Sequence, residues 1–241
     1  MPSKADLDTA LSQYPTSLAL RAKASKSSKD LVELDEWYRG ELRTLMAERR
    51  REDKAGEAFL TQVELGKLMR WKLARGKFRP RLEALALSNP DSLVRSTTSS
   101  ASTAAPSSAL PTLASLKGCG PATSSAVLAL WHPETEPFMS DEAMENCEEY
   151  EQGKEGSRKK DYTVKAWKAY GEAMKRRAEK EGWESMEELE KALWSWAVQR
   201  KYGRSKEKDV VEKPKKTSKK RTETVEEAES SKPATKKRKS K

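Results

Sequence analysis

The chain has 241 residues, a formal net charge of +10 and a hydrophobic fraction of 35%, which suffices for one domain of moderate size with polar segments around it. No apolar run approaches the ~20 residues of a membrane-spanning helix, and the amino end lacks the apolar centre of a signal peptide. Two cysteines and one histidine are too few for a tetrahedral zinc site or an iron–sulfur cluster. We therefore expect a soluble, intracellular protein with no membrane partner, no metal and no cofactor.

The positive charge is concentrated at the carboxyl end. Residues 204–241 contain 15 Lys and Arg against 7 Asp and Glu, a net charge of +8, which leaves +2 for residues 1–203. Few apolar residues accompany these charges, so we expect a disordered tail that also binds nucleic acid nonspecifically, or one that is merely solubilising. Two dense basic clusters in it resemble nuclear import signals and predict a nuclear location and an import receptor as partner. The clusters comprise Lys213, Lys215, Lys216, Lys219, Lys220, Arg221, Lys236, Lys237, Arg238 and Lys239.

The amino-terminal part divides into an arm and the start of a helical domain. Residues 1–28 are small, polar and dotted with lysines, and Pro15 stops their weak helical run, so we interpret them as a flexible arm. From Asp30 to about Arg51, leucines and aromatics recur at helical spacing, which predicts an amphipathic helix. We expect one all-α domain over residues 29–203.

A second amphipathic helix is predicted over Gln62–Arg75, because a capping box at Thr61 to Glu64 precedes its apolar stripe. This helix and the loop after it are rich in cations and aromatics. Such interleaving suits phosphate neutralisation combined with base stacking, and it equally suits a solvated helix face whose tryptophan packs in the core. The basic and aromatic patch comprises Lys67, Arg70, Trp71, Arg75, Lys77 and Arg79.

Two shorter helical segments and a linker are expected next. Residues 81–87 form an apolar helical segment, and Asp91 is suited to cap a further helix. Residues 96–109 then change to Ser, Thr and Ala around Pro106, with little to bury. We interpret this stretch as a linker or a frayed helix extension.

The most specific pattern lies in residues 111–131, which predict two short helices joined by a glycine turn. Gly118 and Gly120 break the first helix, and Pro121 suits the first position of the second. Backbone N–H groups at such a turn and the dipole of the following helix favour anions. We therefore predict that the turn holds DNA phosphates without reading base sequence. The predicted phosphate-binding residues are Lys117, Gly118, Cys119 and Gly120.

The residues L-K-G-C-G-P-A-T-S-S-A resemble the hairpin of the helix-hairpin-helix base-excision DNA glycosylase superfamily. The resemblance implies a multi-helix domain containing that motif, DNA binding and a role in DNA repair. The alternative is a glycine-terminated helix in an ordinary helical hairpin. Bifunctional members carry a lysine nucleophile two residues beyond the G-x-G, where this chain has Ala122, so no Schiff-base lyase activity is implied.

The same resemblance implies a catalytic aspartate about twenty residues after the hairpin, and Asp141 stands there. Its role would be to activate water or to stabilise positive charge on the sugar as the base leaves. The alternative is that Ser140 or Asp141 only caps a helix. Acidic residues without any Lys or Arg between Pro121 and Gly153 would repel DNA unless basic residues from elsewhere face it.

Two more helices are expected between Asp161 and Trp196, separated by Gly182, with tryptophans that pack in the core. Taken together, the sequence predicts an all-α nuclear DNA-binding protein with a glycosylase-like domain, which is either a monofunctional base-excision enzyme or a noncatalytic DNA-binding module on the same scaffold. The alternative is a noncatalytic nuclear module for protein interaction that keeps only the fold.

Overall fold

The structure is a computed structural model that describes residues 1–147, 150 and 161–203. In this part the chain forms helices and turns, which confirms the predicted all-α fold class. The described helices are α1 (Lys4–Ser12), α2 (Tyr14–Ala24), α3 (Leu31–Glu36), α4 (Leu42–Glu52), α5 (Gln62–Arg75), α6 (Pro80–Leu87), α7 (Asp91–Ser102), α8 (Pro106–Leu113), α9 (Pro121–Trp131), α10 (Asp141–Asn146), α11 (Val164–Glu181) and α12 (Met186–Tyr202). None of them is long and apolar enough to cross a membrane. The predicted disordered tail and both import clusters lie outside the described residues.

The amino-terminal segment is not the flexible arm that the sequence predicts. Residues 1–28 form α1 and α2, and both helices pack against α12. Leu7 is fully buried in this contact. The Ser17 and Ser195 hydroxyls lie 2.6 Å apart, and Ser195 Oγ donates to the Ala10 carbonyl. The prediction is wrong because the apolar residues that pack against this segment belong to α12, near the carboxyl end of the domain sequence.

The helix predicted from Asp30 to Arg51 is present as α3 and α4, joined by one π-helical turn over Trp37–Glu41. The Leu42 N–H donates to the Trp37 carbonyl, five residues back, which is the π-helical pattern. Both parts bury apolar side chains, among them Leu34 and Met46. The predicted amphipathic helix is therefore confirmed, and the π-helical turn within it was not predicted.

Helix α5 has the predicted bounds. The Thr61 side chain accepts from the Glu64 N–H and the Glu64 side chain accepts from the Thr61 N–H, so the predicted capping box is formed. Asp91, in contrast, is the first residue of α7 and not its cap. Its carboxylate accepts from the Gln62 N–H and pairs with Arg95.

Residues 96–109, interpreted as a linker or a frayed helix extension, are largely helical, because α7 continues to Ser102 and α8 begins at Pro106. Its hydroxyl groups explain this. Thr98 Oγ1 accepts from the Leu60 N–H and Ser102 Oγ accepts from the Ala58 N–H, each at 2.9 Å. Both side chains are buried, and their hydrogen bonds hold the backbone of the segment before α5.

The centre of the domain is aromatic. Trp71 and Trp194 are fully buried, and Trp71 stacks on Tyr38 with ring centroids 3.8 Å apart. Helix α9 is buried along its whole length from Ala122, including the hydroxyl-bearing residues Thr123, Ser124 and Ser125. The prediction that tryptophans of the last two helices pack in the core is confirmed for Trp167 and Trp194.

Candidate functional site

A cavity of about 240 Å³ lies where four separate parts of the chain meet. The C-terminal half of α5 and the loop after it form one wall, the glycine turn and the start of α9 form the second, and the start of α10 forms the third. Tyr162, just before α11, adds a side chain from a fourth part. The polar and charged residues that line it include Lys72, Lys77, Arg79, Asp141 and Tyr162. The structure thus brings Asp141 and the glycine turn into one site, together with Arg75, Lys77 and Arg79 of the predicted patch.

Gly118 is required by packing. It has a positive φ of 78°, and a Cβ at this position would lie 2.9 Å from both the Ala86 nitrogen and the Leu82 oxygen of α6. Asn89 fixes the same turn, because its side chain accepts from the Lys117 N–H and donates to the Lys117 carbonyl. The turn is therefore clamped onto α6, and this contact places the start of α9 against the cavity.

The backbone of the turn is a poorer anion site than predicted. The Lys117 N–H donates to Asn89 and the Cys119 N–H donates to the Leu116 carbonyl, so neither group is free to bind a phosphate. The first turn of α9 also uses its own donors, since the Thr123 and Ser124 N–H groups bind the Gly120 carbonyl. Gly120 itself lines the cavity, and a Cβ there would meet open space.

The Cys119 side chain is also unsuited to contact DNA. It is a buried free thiol, and burial raises its pKa to about 12. At neutral pH it is therefore a protonated, apolar group that packs behind the turn.

Asp141 does not carry the helix cap. Ser140 has that role, because its Oγ accepts from the Ala143 N–H at the start of α10. The same hydroxyl lies 2.5 Å from Glu190 Oε1, to which it donates. Asp141 follows as the first residue of the helix, lines the cavity and accepts a hydrogen bond from the Tyr162 hydroxyl. Burial and this contact with Asp141 raise the pKa of Tyr162 well above its usual range.

Tyr162 is a residue of this site that the sequence prediction omitted. Lys72 belongs to the basic run on α5 from which the patch was predicted. Its side chain lines the cavity and has no hydrogen-bond or ion-pair partner among the described residues. Burial lowers its pKa to about 8, although the Asp141 charge acts in the opposite direction, and the charge of Arg79 lowers it further.

The predicted basic and aromatic patch is not one surface. Trp71 is in the core and its Nε1 donates to Asp35 Oδ1 at 2.8 Å, so it cannot stack on a base. Arg75 is 1% exposed and pairs with Glu190. On the outer side of α5, the Lys67 ammonium lies 4.4 Å from the centre of the Trp37 ring. Arg70 pairs with Glu83 at 2.7 Å.

The remaining members of the patch, Lys77 and Arg79, are exposed and lie at the cavity, with Phe78 between them. Phe78 is 50% exposed and lines an open groove next to the cavity. These loop residues are therefore the part of the predicted patch that is exposed at the cavity.

The groove has walls of opposite charge. Gly76, Lys77 and Asp141 line both the groove and the cavity, so the two are continuous. Asp141, Glu142 and Glu145 of the acidic stretch predicted to repel DNA form one wall, at α10. The other wall carries cations and aromatics of α12. The charged and aromatic residues of these walls include Glu142, Glu145, Trp196, Arg200, Lys201 and Tyr202.

Within the described residues, no group of three or more His, Cys, Asp or Glu side chains is placed to hold a metal ion. Comparison of the chain with family models, with curated proteins and with solved structures finds no match. The interpretation of this site therefore depends on its geometry and chemistry alone.

Proposed function

We propose that the protein is a nuclear DNA-binding protein whose helix-hairpin-helix-like domain removes a base from DNA. One observation carries the proposal: a carboxylate, Asp141, faces the same cavity as the glycine turn before α9, and Lys77 and Arg79 stand beside it. Cations near the opening suit the phosphates on either side of a nucleotide. The cavity itself has the size of a site for one small ligand group.

In this proposal the target nucleotide turns out of the duplex into the cavity. Loss of the base leaves positive charge on the sugar, and the Asp141 carboxylate offsets that charge. Tyr162 holds the carboxylate in place through its hydrogen bond, and the Ser140–Glu190 hydrogen bond holds the start of α10. Asp141 thus acts on the substrate, whereas Tyr162, Ser140 and Glu190 hold Asp141 and its helix in position.

The test compares the full-length protein with Asp141→Asn. Base release is measured from duplexes that each contain one damaged base, and DNA affinity is measured in parallel. Because the amide keeps the size of the side chain but lacks its charge, we expect base release to fall about a hundredfold or more with little loss of affinity. Glu145→Gln, an exposed change on the same helix, is the matched control. Full activity in Asp141→Asn would exclude the catalytic assignment.

The nuclear part of the proposal depends on the basic clusters of the tail. Changing the lysines and arginines of both clusters to alanine should move a tagged chain out of the nucleus, and microscopy measures the fraction that remains. An unchanged nuclear fraction would contradict this part of the proposal but not the proposed removal of a base.

The second candidate function is a noncatalytic module for protein interaction. Exposed apolar side chains favour it: Val63 is 70% exposed, Leu93 46% and Leu87 39%. They lie where α5 begins, α6 ends and α7 begins, and Gln62 ties these ends together through Asp91 and the Leu87 carbonyl. This candidate predicts no base release from any substrate, and weaker partner capture after Val63→Ser or Leu93→Ser.

A further inference from the structure

The proposed removal of a base uses the cavity but not the groove beside it, which has a volume of about 670 Å³ against about 240 Å³ for the cavity. Three aromatic side chains line this groove: Phe78, Trp196 and Tyr202. Phe78 is exposed, and the other two are partly exposed. Aromatic rings that face solvent in a groove offer flat apolar surfaces on which planar ligand groups stack.

Cations lie against these rings on the α12 side of the groove. The Arg200 guanidinium carbon is 4.3 Å from the centre of the Trp196 ring, and the Lys201 ammonium is 5.3 Å from the centre of the Tyr202 ring. Both cations are exposed to solvent, so both can contact phosphates. An arginine plane held on an aromatic ring is also a surface on which a nucleic-acid base stacks. This wall therefore combines stacking surfaces with positive charge.

Arg21 adds a buried charge at the same groove. The residue is 8% exposed and lines the groove. Its guanidinium donates to the carbonyls of Arg75 and Gly76 and to the Tyr202 hydroxyl. These hydrogen bonds fix the loop before Phe78 against the end of α12. No carboxylate among the described residues pairs with Arg21, and because burying such a charge is costly, an anion in the groove would stabilise it.

Stacking surfaces of this kind select an unpaired strand. Bases inside a duplex cover each other's faces, so only unpaired bases present their faces to side chains. The cations also suit one backbone only. At α10 the groove is lined by Asp141, Glu142, Glu145 and Asn146. This wall has no cation among the described residues to neutralise the phosphates of a second strand.

We propose that the groove binds an unpaired nucleic-acid strand, with bases stacked on Phe78 and Trp196 and phosphates bound by Arg200 and Lys201. The proposal goes beyond base removal, because binding requires neither base release nor the charge of Asp141. Since the groove and the cavity are continuous, a strand in the groove can also place one nucleotide in the cavity. DNA and RNA strands share this chemistry, so the test contains both.

The test measures the affinity of the full-length protein for labelled oligonucleotides by fluorescence anisotropy, at about 0.3 M salt to weaken the contacts of the basic tail. One arm contains a DNA strand of mixed sequence, the second contains its duplex with the complementary strand, and the third contains the RNA strand of the same sequence. Phe78→Leu keeps an apolar side chain but removes the ring. It should weaken binding of the single strand about tenfold and leave the affinity for the duplex unchanged. Phe78→Tyr keeps the ring and should bind as the unmutated protein does.

Matched controls lie outside the groove. Val63→Ser changes another exposed apolar side chain and should leave all three affinities unchanged. Lys201→Gln should reduce the slope of log affinity against log salt by about 0.7 for the single strand. Lys54→Gln, at the exposed turn after α4, should not change that slope. Tighter binding of the DNA or of the RNA strand identifies which of the two is the ligand.

The result that would overturn the proposal is an unchanged single-strand affinity in Phe78→Leu, or an equal loss of affinity for the duplex. Either result would leave the groove to another ligand, such as an extended peptide. Absence of base release together with the expected effect of Phe78→Leu would instead overturn only the proposed base removal.

Discussion

Arg75 and Glu190 form a two-pronged ion pair inside the domain, with Nη1 2.7 Å from Oε1 and Nη2 3.0 Å from Oε2. Their side chains are 1% and 2% exposed. Glu190 also accepts from Ser140 Oγ, so the pair connects α5 and α12 to the start of the helix that carries Asp141. A buried pair of this kind does not have to add stability, but opening it leaves a charge unpaired.

Opening this pair should therefore destabilise the protein more than opening a surface pair. We expect Glu190→Gln to lower the free energy of unfolding by about 3 kcal/mol, measured by urea denaturation. The double variant Arg75→Met with Glu190→Leu should lose less, because no charge remains buried. Asp8→Asn breaks the exposed Lys4–Asp8 pair and should cost under about 0.5 kcal/mol. Equal losses of unfolding free energy for Glu190→Gln and Asp8→Asn would show that burial does not make the Arg75–Glu190 pair more costly to open.

The two glycines of the turn should respond differently to one added methyl group. Gly118→Ala places a Cβ against the α6 backbone at positive φ, so we expect a loss of about 3 kcal/mol. Gly120→Ala meets open space and should cost less than about 1 kcal/mol. Thermal denaturation followed by circular dichroism compares the two directly. Similar melting temperatures for both variants would show that α6 does not clamp the turn.

Removal of residues 1–28 should abolish cooperative unfolding. The deletion takes away Leu7, Tyr14 and Leu18 from the core, each worth roughly 2–5 kcal/mol, against a typical total stability of about 5–15 kcal/mol. Calorimetry of the truncated chain should show no sharp transition, whereas a chain ending at Gly203 should keep one. A truncated chain with an unchanged melting temperature would restore the interpretation of this segment as a flexible arm.

Glu136 should make the protein less stable as pH rises. Burial raises its pKa from 4.5 to about 7, so the folded state holds this proton more tightly than the unfolded state. The stability contributed by the group is fully present below pH 4.5 and is lost as pH rises through about 7. Glu136→Gln removes the titration, so it should stabilise the protein at pH 8 relative to pH 5. Chemical denaturation at both values measures this.

The matched control for this pH effect is Glu134→Gln, because the Glu134 carboxylate is exposed to solvent. Its substitution should change the free energy of unfolding by a small amount that is the same at pH 5 and pH 8. A pH-independent effect of Glu136→Gln would show that burial does not control this carboxyl group.

The charge of the tail predicts the salt dependence of DNA binding. Residues 204–241 carry +8, and each neutralised phosphate contributes about 0.9 to the slope of log affinity against log salt. Deleting the tail should flatten that slope by several units, measured by fluorescence anisotropy on duplex DNA. The control keeps the tail length but exchanges its lysines for glutamine. Equal slopes for the full-length and shortened chains would show that the tail has another partner.

Local signals in the sequence predicted local structure well. The capping box at Thr61 and Glu64 fixes the start of α5, because both hydrogen bonds join residues three apart. Gly182, predicted to separate the last two helices, ends α11 in the left-handed conformation with a φ of 69°. Each of these features depends only on neighbours along the chain, so the sequence was sufficient.

Contacts between distant residues explain where the sequence prediction failed. Arg75 has the spacing of a surface cation, but its partner Glu190 lies 115 residues further along the chain. Leu7 belongs to a weak helical pattern whose apolar partner is the last described helix. The cavity combines α5, the turn before α9 and the start of α10, so the proximity of Lys72 to Asp141 has no signature in residue spacing.

The π-helical turn over Trp37–Glu41 makes the residue count between α3 and α4 significant. A π-helical turn closes over one residue more than an α-helical turn, so loss of a single codon here would leave an ordinary α-helical turn. Leu42 and Met46 would keep their places in the core, and Arg49 would stay beside Glu64. Loss of a codon inside α4 itself would instead rotate the rest of that helix by about 100°. In the gene, an in-frame deletion within the π-helical turn should therefore be far less harmful than one a few codons later.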